Sequence, residues 1–408
     1  MVESFVVNTL ISLGVDVISL GFSTTPTVAV AVPKKKANGG VIITASHNSE
    51  QWNALKLLNE KGEFINANEG EKLIEFVEKN TTIEYATIDE IGAVTHIEDG
   101  YINAHIDEVV NLDTADIVAI EKAHFKVVVD AVNSTGGIAV PKLLERIGVE
   151  TIKLYCEPNG IFPHNPEPLD AHLKDIKQKV VQEKADLGIV VDPDVDRLVF
   201  VCEDGTLFGE EYTLVACADY ILGLKNGNTV SNLSSTRALR DVCEKHGQKC
   251  FYTSVGEVNV VEAMKKNHAV IGGEGNGGVI LPDLHYGRDA LVGIILFLSH
   301  LAKKDMSVRA LRDSYPNYIM HKSKIEIGDK ADAIAILSAL GSKYSNEKVN
   351  TQDGLKIDFP NSWVHIRLSN TEPILRIYSE AHTKEKADDL ANNIIRQIRG
   401  GLSHKRLI

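Results

Sequence analysis

The stretch Leu187–Val201, with the sequence LGIVVDPDVDRLVFV, decides the fold class of this chain. Its two apolar ends predict a pair of buried strands, as in α/β proteins whose sheets are covered on both faces. Between them, Asp192, Asp194 and Asp196 occupy every second position, which places their carboxylates on one side of an extended segment. Because neighbouring carboxylates raise one another's pKa, the pattern predicts a cation among them. Oxygen ligands favour a hard divalent ion, most naturally Mg²⁺.

Two other interpretations compete with a magnesium site. An EF-hand calcium loop also begins Asp-x-Asp-x-Asp and would have Glu203 at its twelfth position, but its sixth position requires Gly and is Arg197 here. An acidic surface turn is the plainer alternative, although such turns rarely separate two buried strands. A metal site remains the better interpretation, and Arg197 would then hold an anion such as a phosphate beside the metal.

Length and composition exclude several classes of protein. With 408 residues the chain is too long for one core, so we expect two to four domains. The formal net charge of −13 argues against a nucleic-acid partner, and Lys34–Lys36, the only compact basic run, is typical of a solvated turn. The five cysteines include no Cys-x-x-Cys pair, which predicts reduced thiols. Met1–Leu10 lacks the basic start of a secretory signal and Leu291–Leu298 is too short to span a bilayer, so we expect a cytoplasmic protein without membrane contact.

An apolar strand, a turn and an amphipathic helix recur along the chain, which predicts an α/β fold with mixed, largely parallel sheets. Three such units precede a smaller stretch that alternates β-rich segments with helices and predicts an α+β domain, with the active cleft at the junction. The predicted domains are 1–100, 101–206, 207–316 and 317–408. The chain opens directly on a predicted helix, Val2–Leu13, whereas an α/β domain usually opens on a strand. Either this domain is unusual or its first elements are missing, and we expect an N-terminally incomplete first domain.

Ser46 is the first candidate for reactive chemistry outside the acidic stretch. It lies in Thr44-Ala45-Ser46-His47-Asn48, directly after a predicted strand, where α/β proteins place reactive groups. Capping of the next helix by the hydroxyl is the alternative. Ser46 and His47 are not expected to act as a pair, because adjacent side chains on an extended segment point in opposite directions.

Two later loops have the composition of ligand-binding segments. In GGEGNGG at 272–278 the backbone can approach a ligand closely, and Glu274 and Asn276 would reach neighbouring sugar hydroxyls; a flexible turn is the alternative. The loop RLSNTEP at 367–373 places a guanidinium, hydroxyls and an amide in one turn, where they would hold a phosphate dianion, with Arg376 adding to the site. The candidates in that loop are Arg367, Ser369, Asn370 and Thr371.

Taken together, the four segments resemble the α-D-phosphohexomutase family over nearly the whole chain. Ser46 in Thr-Ala-Ser-His-Asn looks like the phosphoserine loop of that family, and Asp192–Asp196 looks like its Mg²⁺ loop. The loops at 272–278 and 367–373 resemble its sugar-binding and phosphate-binding loops. Four motifs in the same order make the resemblance specific.

The resemblance implies a phosphohexomutase that works through phosphorylated Ser46 and a hexose 1,6-bisphosphate, which is both intermediate and activator. Ser46 would join the three aspartates as a ligand of Mg²⁺. Lys56 matches the candidate acid/base of the family, Arg197 would steady the phosphoserine, and His47 belongs to the same catalytic loop. The phosphate loop that begins at Arg367 would grip whichever phosphate is not reacting.

The form of the sugar loop bears on the substrate. Glu-Gly-Asn-Gly-Gly resembles phosphoglucosamine mutases or broad phosphomannomutases, so glucosamine 6-phosphate is the expected substrate. A phosphomannomutase/phosphoglucomutase is the alternative within the family. Outside it, the alternatives are a metal-dependent phosphatase with a serine nucleophile and a truncated sugar-phosphate-binding protein with little turnover. Monomer and dimer are equally compatible with the sequence.

Overall fold

A computed structural model describes residues 1–46, 52–79, 82–327, 330–369 and 373–405. The described chain forms three α/β units and a C-terminal α+β unit, as the sequence pattern predicts. All five cysteines are free thiols. Within these ranges no helix is both long enough and apolar enough to cross a membrane.

The first unit contains two small, separate sheets. Its elements are, in chain order, α1 (Val2–Ser12), β1 (Val17–Ser19), α2 (Thr25–Lys34), β2 (Gly40–Thr44), β3 (Ala54–Leu58), α3 (Ala67–Lys79) and β4 (Val94–His96). Strand β1 pairs in parallel with β4, and β2 pairs antiparallel with β3. The helix expected at the start of the chain is α1. The hydrophobic core cluster here is small and contains four buried residues.

The second unit is a four-stranded sheet with the order β6-β5-β7-β8. Its elements are α4 (Ile102–Val110), α5 (Ile117–Ala123), β5 (Lys126–Asp130), α6 (Gly136–Arg146), β6 (Glu150–Leu154), a 3₁₀ turn (Asp170–His172), α7 (Lys174–Glu183), β7 (Leu187–Val191) and β8 (Leu198–Cys202). The strands β6, β5 and β7 are parallel, and β8 runs antiparallel to β7. Every residue of β7 and β8 is buried, which confirms the two buried strands expected around the acidic stretch.

The third unit repeats this topology in the order β10-β9-β11-β12. Its elements are α8 (Glu210–Leu224), β9 (Asn228–Asn232), α9 (Ala238–Lys245), β10 (Cys250–Thr253), α10 (Glu257–Lys266), β11 (Ala269–Glu274), β12 (Gly278–Ile280), α11 (Ala290–Lys304) and α12 (Val308–Asp313). One continuous apolar core joins it to the second unit. At the boundary, Phe200 of β8 stacks on Phe297 of α11 with ring centroids 3.7 Å apart. The two units therefore form a common scaffold.

The fourth unit is a five-stranded antiparallel sheet with the order β13-β17-β16-β15-β14. Its elements are β13 (Ile319–Glu326), α13 (Lys330–Lys343), β14 (Lys348–Asn350), β15 (Leu355–Phe359), β16 (Ser362–Leu368), β17 (Ile374–Ala381) and α14 (Lys384–Lys405). Arg237, just before α9, ties this unit to the third: its guanidinium contacts Asp358 (3.0 Å) and donates to the carbonyl oxygens of Phe359 and Ser362, both at 2.7 Å.

Candidate active site

The three aspartates converge because the chain turns between β7 and β8. Residues 192–197 are not extended, and Val195 has a left-handed backbone with φ 62°. The expectation that Asp192, Asp194 and Asp196 share one side of an extended segment is therefore wrong. The tight turn nevertheless brings the three buried carboxylates together, with one oxygen of each within 4.8 Å of the others.

All three α/β units hold this turn in place. Three consecutive carbonyl oxygens of the turn each accept a hydrogen bond from a different unit: Ser134 Oγ donates to Pro193 O (3.0 Å), Thr25 N to Asp194 O (3.0 Å) and Ala290 N to Val195 O (3.1 Å). A site supported in this way keeps its geometry because its backbone cannot shift without breaking contacts in several units.

The donor set of the turn fits a hard divalent cation. Asp192 Oδ2 and Asp196 Oδ1 are buried, and neither has a hydrogen-bond partner among the described residues. Burial and the neighbouring carboxylates raise the pKa of Asp192 well above its usual range. Burial alone would also raise the pKa of Asp196. The positive charges of Arg288, Lys56 and Arg197 outweigh burial and lower this pKa to about 2. A bound cation would satisfy both orphaned oxygens, so the residues present fit the group that the sequence pattern predicts.

The segment that carries Ser46 reaches the turn through Asp194. Thr44 donates its hydroxyl to Asp194 Oδ1, and the backbone N–H of Ser46 donates to Thr44 Oγ1 at 2.8 Å. Lys56 Nζ donates to Asp194 Oδ2 at 2.6 Å. Burial lowers the pKa of Lys56, but the charges of Asp196 and Asp194 prevail and raise it, so Lys56 is a cation here. Asp194 is thus one of the points at which the first and second units meet.

Arg288 was not identified from the sequence, although it links two of the predicted loops. Its guanidinium donates to Asp196 Oδ2 (2.7 Å), Glu274 Oε2 (3.0 Å) and Glu257 Oε2 (2.8 Å). The only signal in the sequence is its place directly before Asp289, which caps α11. Because one planar fork holds carboxylates from separate segments, Arg288 fixes the aspartate turn relative to the sugar loop.

Glu274 and Asn276 are brought together with this network. The carboxylate of Glu274 accepts hydrogen bonds from four donors: Asn232 Nδ2 (2.9 Å), Gly256 N (3.0 Å), Arg288 Nη1 (3.0 Å) and Asn276 Nδ2 (3.4 Å). Since a carboxylate has about four lone-pair positions, a sugar hydroxyl would have to share or replace one of these contacts. The tight loop also explains its glycines: a Cβ on Gly275 would lie 2.0 Å from Glu211 Oε2.

Arg197 lies beside the aspartate turn, and its guanidinium is close to the carboxylate of Glu167. Its backbone N–H donates to Asp192 Oδ1 at 3.2 Å, and its Nη1 lies 3.5 Å from Glu167 Oε1. An anion held by Arg197 would therefore compete with Glu167 for the guanidinium.

In the fourth unit, Arg367 of β16 stands directly opposite Arg376 of β17. Both side chains are half-buried, and Arg367 Nε is a buried donor without a hydrogen-bond partner in the described chain. Ser369 is buried at the end of β16, where its N–H donates to Ile374 O at 3.0 Å. The predicted site residues His47, Asn370 and Thr371 lie outside the described residues.

Family models of known proteins match the chain in four consecutive stretches. They are described as phosphoglucomutase/phosphomannomutase alpha/beta/alpha domain I at residues 1–84, domain II at 103–205, domain III at 209–318 and the C-terminal domain at 321–397.

Curated relatives agree with these matches. The phosphoglucomutase/phosphomannomutase of Thermococcus kodakarensis is 35% identical over 390 residues, which are 95% of this chain and 84% of that protein. The phosphoglucosamine/phosphogalactosamine mutase of Sulfurisphaera tokodaii is 30% identical over 98% of this chain and 89% of that protein. The solved structure of a phosphoglucomutase/phosphomannomutase family protein from Burkholderia thailandensis has the same fold, with a TM-score of 0.82 at 23% identity over 98% of this chain and 86% of that one.

Proposed function

We propose, because the chain belongs to the phosphoglucomutase/phosphomannomutase family, that this phosphohexomutase works through a phosphoserine at Ser46 and a hexose 1,6-bisphosphate. Its preferred reaction is the interconversion of glucosamine 6-phosphate and glucosamine 1-phosphate in the cytoplasm. The observation that carries the proposal is the position of Asp194, which belongs to the aspartate turn and binds both Thr44 and Lys56 beside Ser46. A nucleophile and a cation site are thereby joined in one cleft.

Asp192, Asp194, Asp196 and the oxygen of Ser46 would hold the metal ion, for which we propose Mg²⁺. When bound, the ion would polarise the phosphoryl group and neutralise the charge that develops during transfer. The carbonyl contacts from the three units keep the aspartates in place. Arg288 holds Asp196 through one oxygen and leaves its other, orphaned oxygen for the cation.

The transfer itself exchanges one P–O bond for another. The bond between phosphorus and Ser46 Oγ breaks, a bond from phosphorus to the sugar oxygen forms, and the proton of that hydroxyl ends on Ser46 or on a nearby base. Lys56 is the candidate for this proton movement: as an ammonium it would donate a proton to the departing Ser46 oxygen and regain one from the sugar hydroxyl. Three hydrogen bonds, through Asp194 and Thr44, link its ammonium to the backbone of Ser46. Arg197 would steady the phosphorylated serine after releasing Glu167.

The remaining predicted residues would bind the substrate at its other end. Glu274 and Asn276 would contact sugar hydroxyls, with Arg288 keeping the carboxylate in position. Arg367 and Arg376, directly opposite each other, would hold the phosphate that is not reacting, together with the loop that follows Ser369. Two guanidinium groups placed in this way would offer charge-assisted hydrogen bonds to one phosphate.

The assay that tests this proposal combines the protein, Mg²⁺, glucosamine 6-phosphate and a trace of glucose 1,6-bisphosphate, with the products followed by ³¹P NMR. Formation of glucosamine 1-phosphate supports the mutase, whereas release of inorganic phosphate alone would indicate a phosphatase. Mannose 6-phosphate and glucose 6-phosphate run in parallel decide the substrate preference. Ser46→Ala should abolish turnover, and Ser342→Ala, an exposed serine far along the chain, is the matched control. Full activity of Ser46→Ala would refute the phosphoserine mechanism.

A further inference from the structure

Three cations stand in one line across three neighbouring strands of the fourth unit. Lys324 of β13 pairs directly with Arg376 of β17, which pairs in turn with Arg367 of β16. Side chains that face each other across antiparallel strands have Cβ atoms about 4.5–5.5 Å apart. Three cations in one line give this part of the sheet a positive potential, which attracts anions.

The face of the sheet that carries this cation line is the one that meets the third unit. Two residues before Lys324 on the same strand, Lys322 Nζ binds Glu210 Oε1 at 3.0 Å. Two residues before Arg367, His365 Nδ1 is hydrogen-bonded to Ser234 Oγ at 2.8 Å. Because side chains alternate along a strand, the cation line lies on the same face and just beyond this contact.

One end of the cation line lies next to the sugar loop. Gly354 packs against Arg367 so closely that an added Cβ would be 2.8 Å from the Cα atom of Arg367. The preceding residue, Asp353, accepts a hydrogen bond from Val255 N at 2.9 Å, and the residue after Val255 donates its N–H to Glu274 at 3.0 Å. Starting from Arg367, the cation line therefore runs away from the sugar loop towards the exposed Lys324.

We propose that the cation line provides two adjoining phosphate positions, one between Arg367 and Arg376 and a second between Arg376 and Lys324. This inference rests on the proposed function, in which a bisphosphate must turn over inside the cleft. Each cross-strand gap is flanked by two cations that can hold one phosphate, and both gaps share Arg376. A phosphate can therefore pass from one position to the other while it stays in contact with Arg376. Lys324 thus helps to retain the bisphosphate while it reorients.

The first test measures binding without turnover. Glucose 1,6-bisphosphate is titrated by calorimetry into the full chain without Mg²⁺, using wild type, Lys324→Gln, Lys324→Arg and the control Glu326→Gln. We expect Lys324→Gln to weaken binding about five- to tenfold, the size of one charge-assisted contact. Lys324→Arg should bind as wild type, and Glu326→Gln, which alters the next residue on the same face, should not weaken binding. Unchanged affinity in Lys324→Gln would overturn the second position.

The second test measures retention of the intermediate. We expect Lys324→Gln to release severalfold more bisphosphate per turnover than wild type, while the KM for the monophosphate changes less than twofold. Arg367→Gln should instead raise that KM strongly, because it removes the first position. If wild type binds the bisphosphate through Lys324 but does not interconvert monophosphates, the proposed function fails and the two positions stand. If it interconverts them and Lys324→Gln releases no more bisphosphate, the inference fails and the function stands.

Discussion

The first and second units share part of their series of elements but differ in how they are packed. In the second unit β5 lies between β6 and β7, and β8 completes the sheet. Strands β1, β2 and β3 of the first unit follow one another along the chain as β6, β7 and β8 do. Among the described residues, however, no strand lies between β1 and β2, so the sheet is divided into two pairs.

This difference appears directly in the exposure of apolar side chains. All residues of β7 and β8 are buried, whereas Val41 of β2 is 37% exposed and Leu55 of β3 is 50% exposed. Helix α1 contains no buried residue, while α6 of the second unit is largely buried. The unit that carries Ser46 therefore has little core of its own. The segment that ends at Ser46 is held by β3 of its own unit and, at its end, by Asp194 of the well-packed second unit.

The largest effect is expected from Asp194→Asn, because this carboxylate joins the two units. The change removes a proposed metal ligand and weakens the contacts to Thr44 and Lys56, so we expect turnover to fall by about 10²–10³-fold, as for loss of one preorganised charge contact. Mn²⁺ binding, followed by electron paramagnetic resonance, should weaken in parallel. Asp204→Asn, in the exposed turn after β8, is the control. Near-normal activity of Asp194→Asn would contradict the role given to this residue.

A matched pair of core substitutions compares the packing of the two units directly. Ile189 and Ile42 hold the middle positions of β7 and β2, which occupy corresponding places in their units. We expect Ile189→Ala to lower the free energy of unfolding by about 2–5 kcal/mol. Ile42→Ala should lower it clearly less, because the surroundings of Ile42 can collapse into the cavity or already lie near solvent. Urea unfolding followed by circular dichroism measures both. Equal losses of unfolding free energy in the two variants would show that the first unit is packed as well as the second.

Hydrogen exchange should show the same contrast without any mutation. Amides of β2 should exchange faster than those of β7, since fewer buried contacts oppose local opening in the first unit. Mass spectrometry of peptides covering 40–44 and 187–191 provides the comparison. Added Mg²⁺ should slow exchange at 40–44 more than at β6, which is remote from the aspartate turn. Equal protection of β2 and β7 would contradict the difference in packing.

The smallest effect concerns the pH dependence of the second unit. His164 Nε2 lies 3.0 Å from Asp130 Oδ2. Burial lowers the pKa of His164, but the hydrogen bond and charge of Asp130 outweigh it and raise the pKa above its usual value of 6.5. A raised pKa stabilises the folded state below pH 6.5, and this contribution disappears as pH rises through the raised value. We expect this rise in pH to lower the free energy of unfolding by less than about 1 kcal/mol. The change should appear in the unfolding midpoints of wild type and be absent in His164→Gln.

Sequence reasoning located the parts of the site that depend on local pattern. Buried runs around the acidic stretch indicated β7 and β8, and a serine after a strand indicated the loop that approaches Asp194. The conformation of the acidic stretch was misjudged, because strand alternation cannot reveal a left-handed residue such as Val195. Arg288 was missed because its three carboxylate partners come from segments far apart in sequence.

By itself the sequence determined the α/β class and the four consecutive units, and it supplied the candidate residues for the chemistry, since periodicity and short motifs are local properties of a chain. Tertiary structure decided how those residues meet. It brought Ser46 to the second unit through Asp194, enclosed Glu274 in a network with Arg288, and aligned Lys324 with Arg376 and Arg367. Such contacts depend on strand register and on the packing of units against one another, and neither can be read from the spacing of residues along one segment.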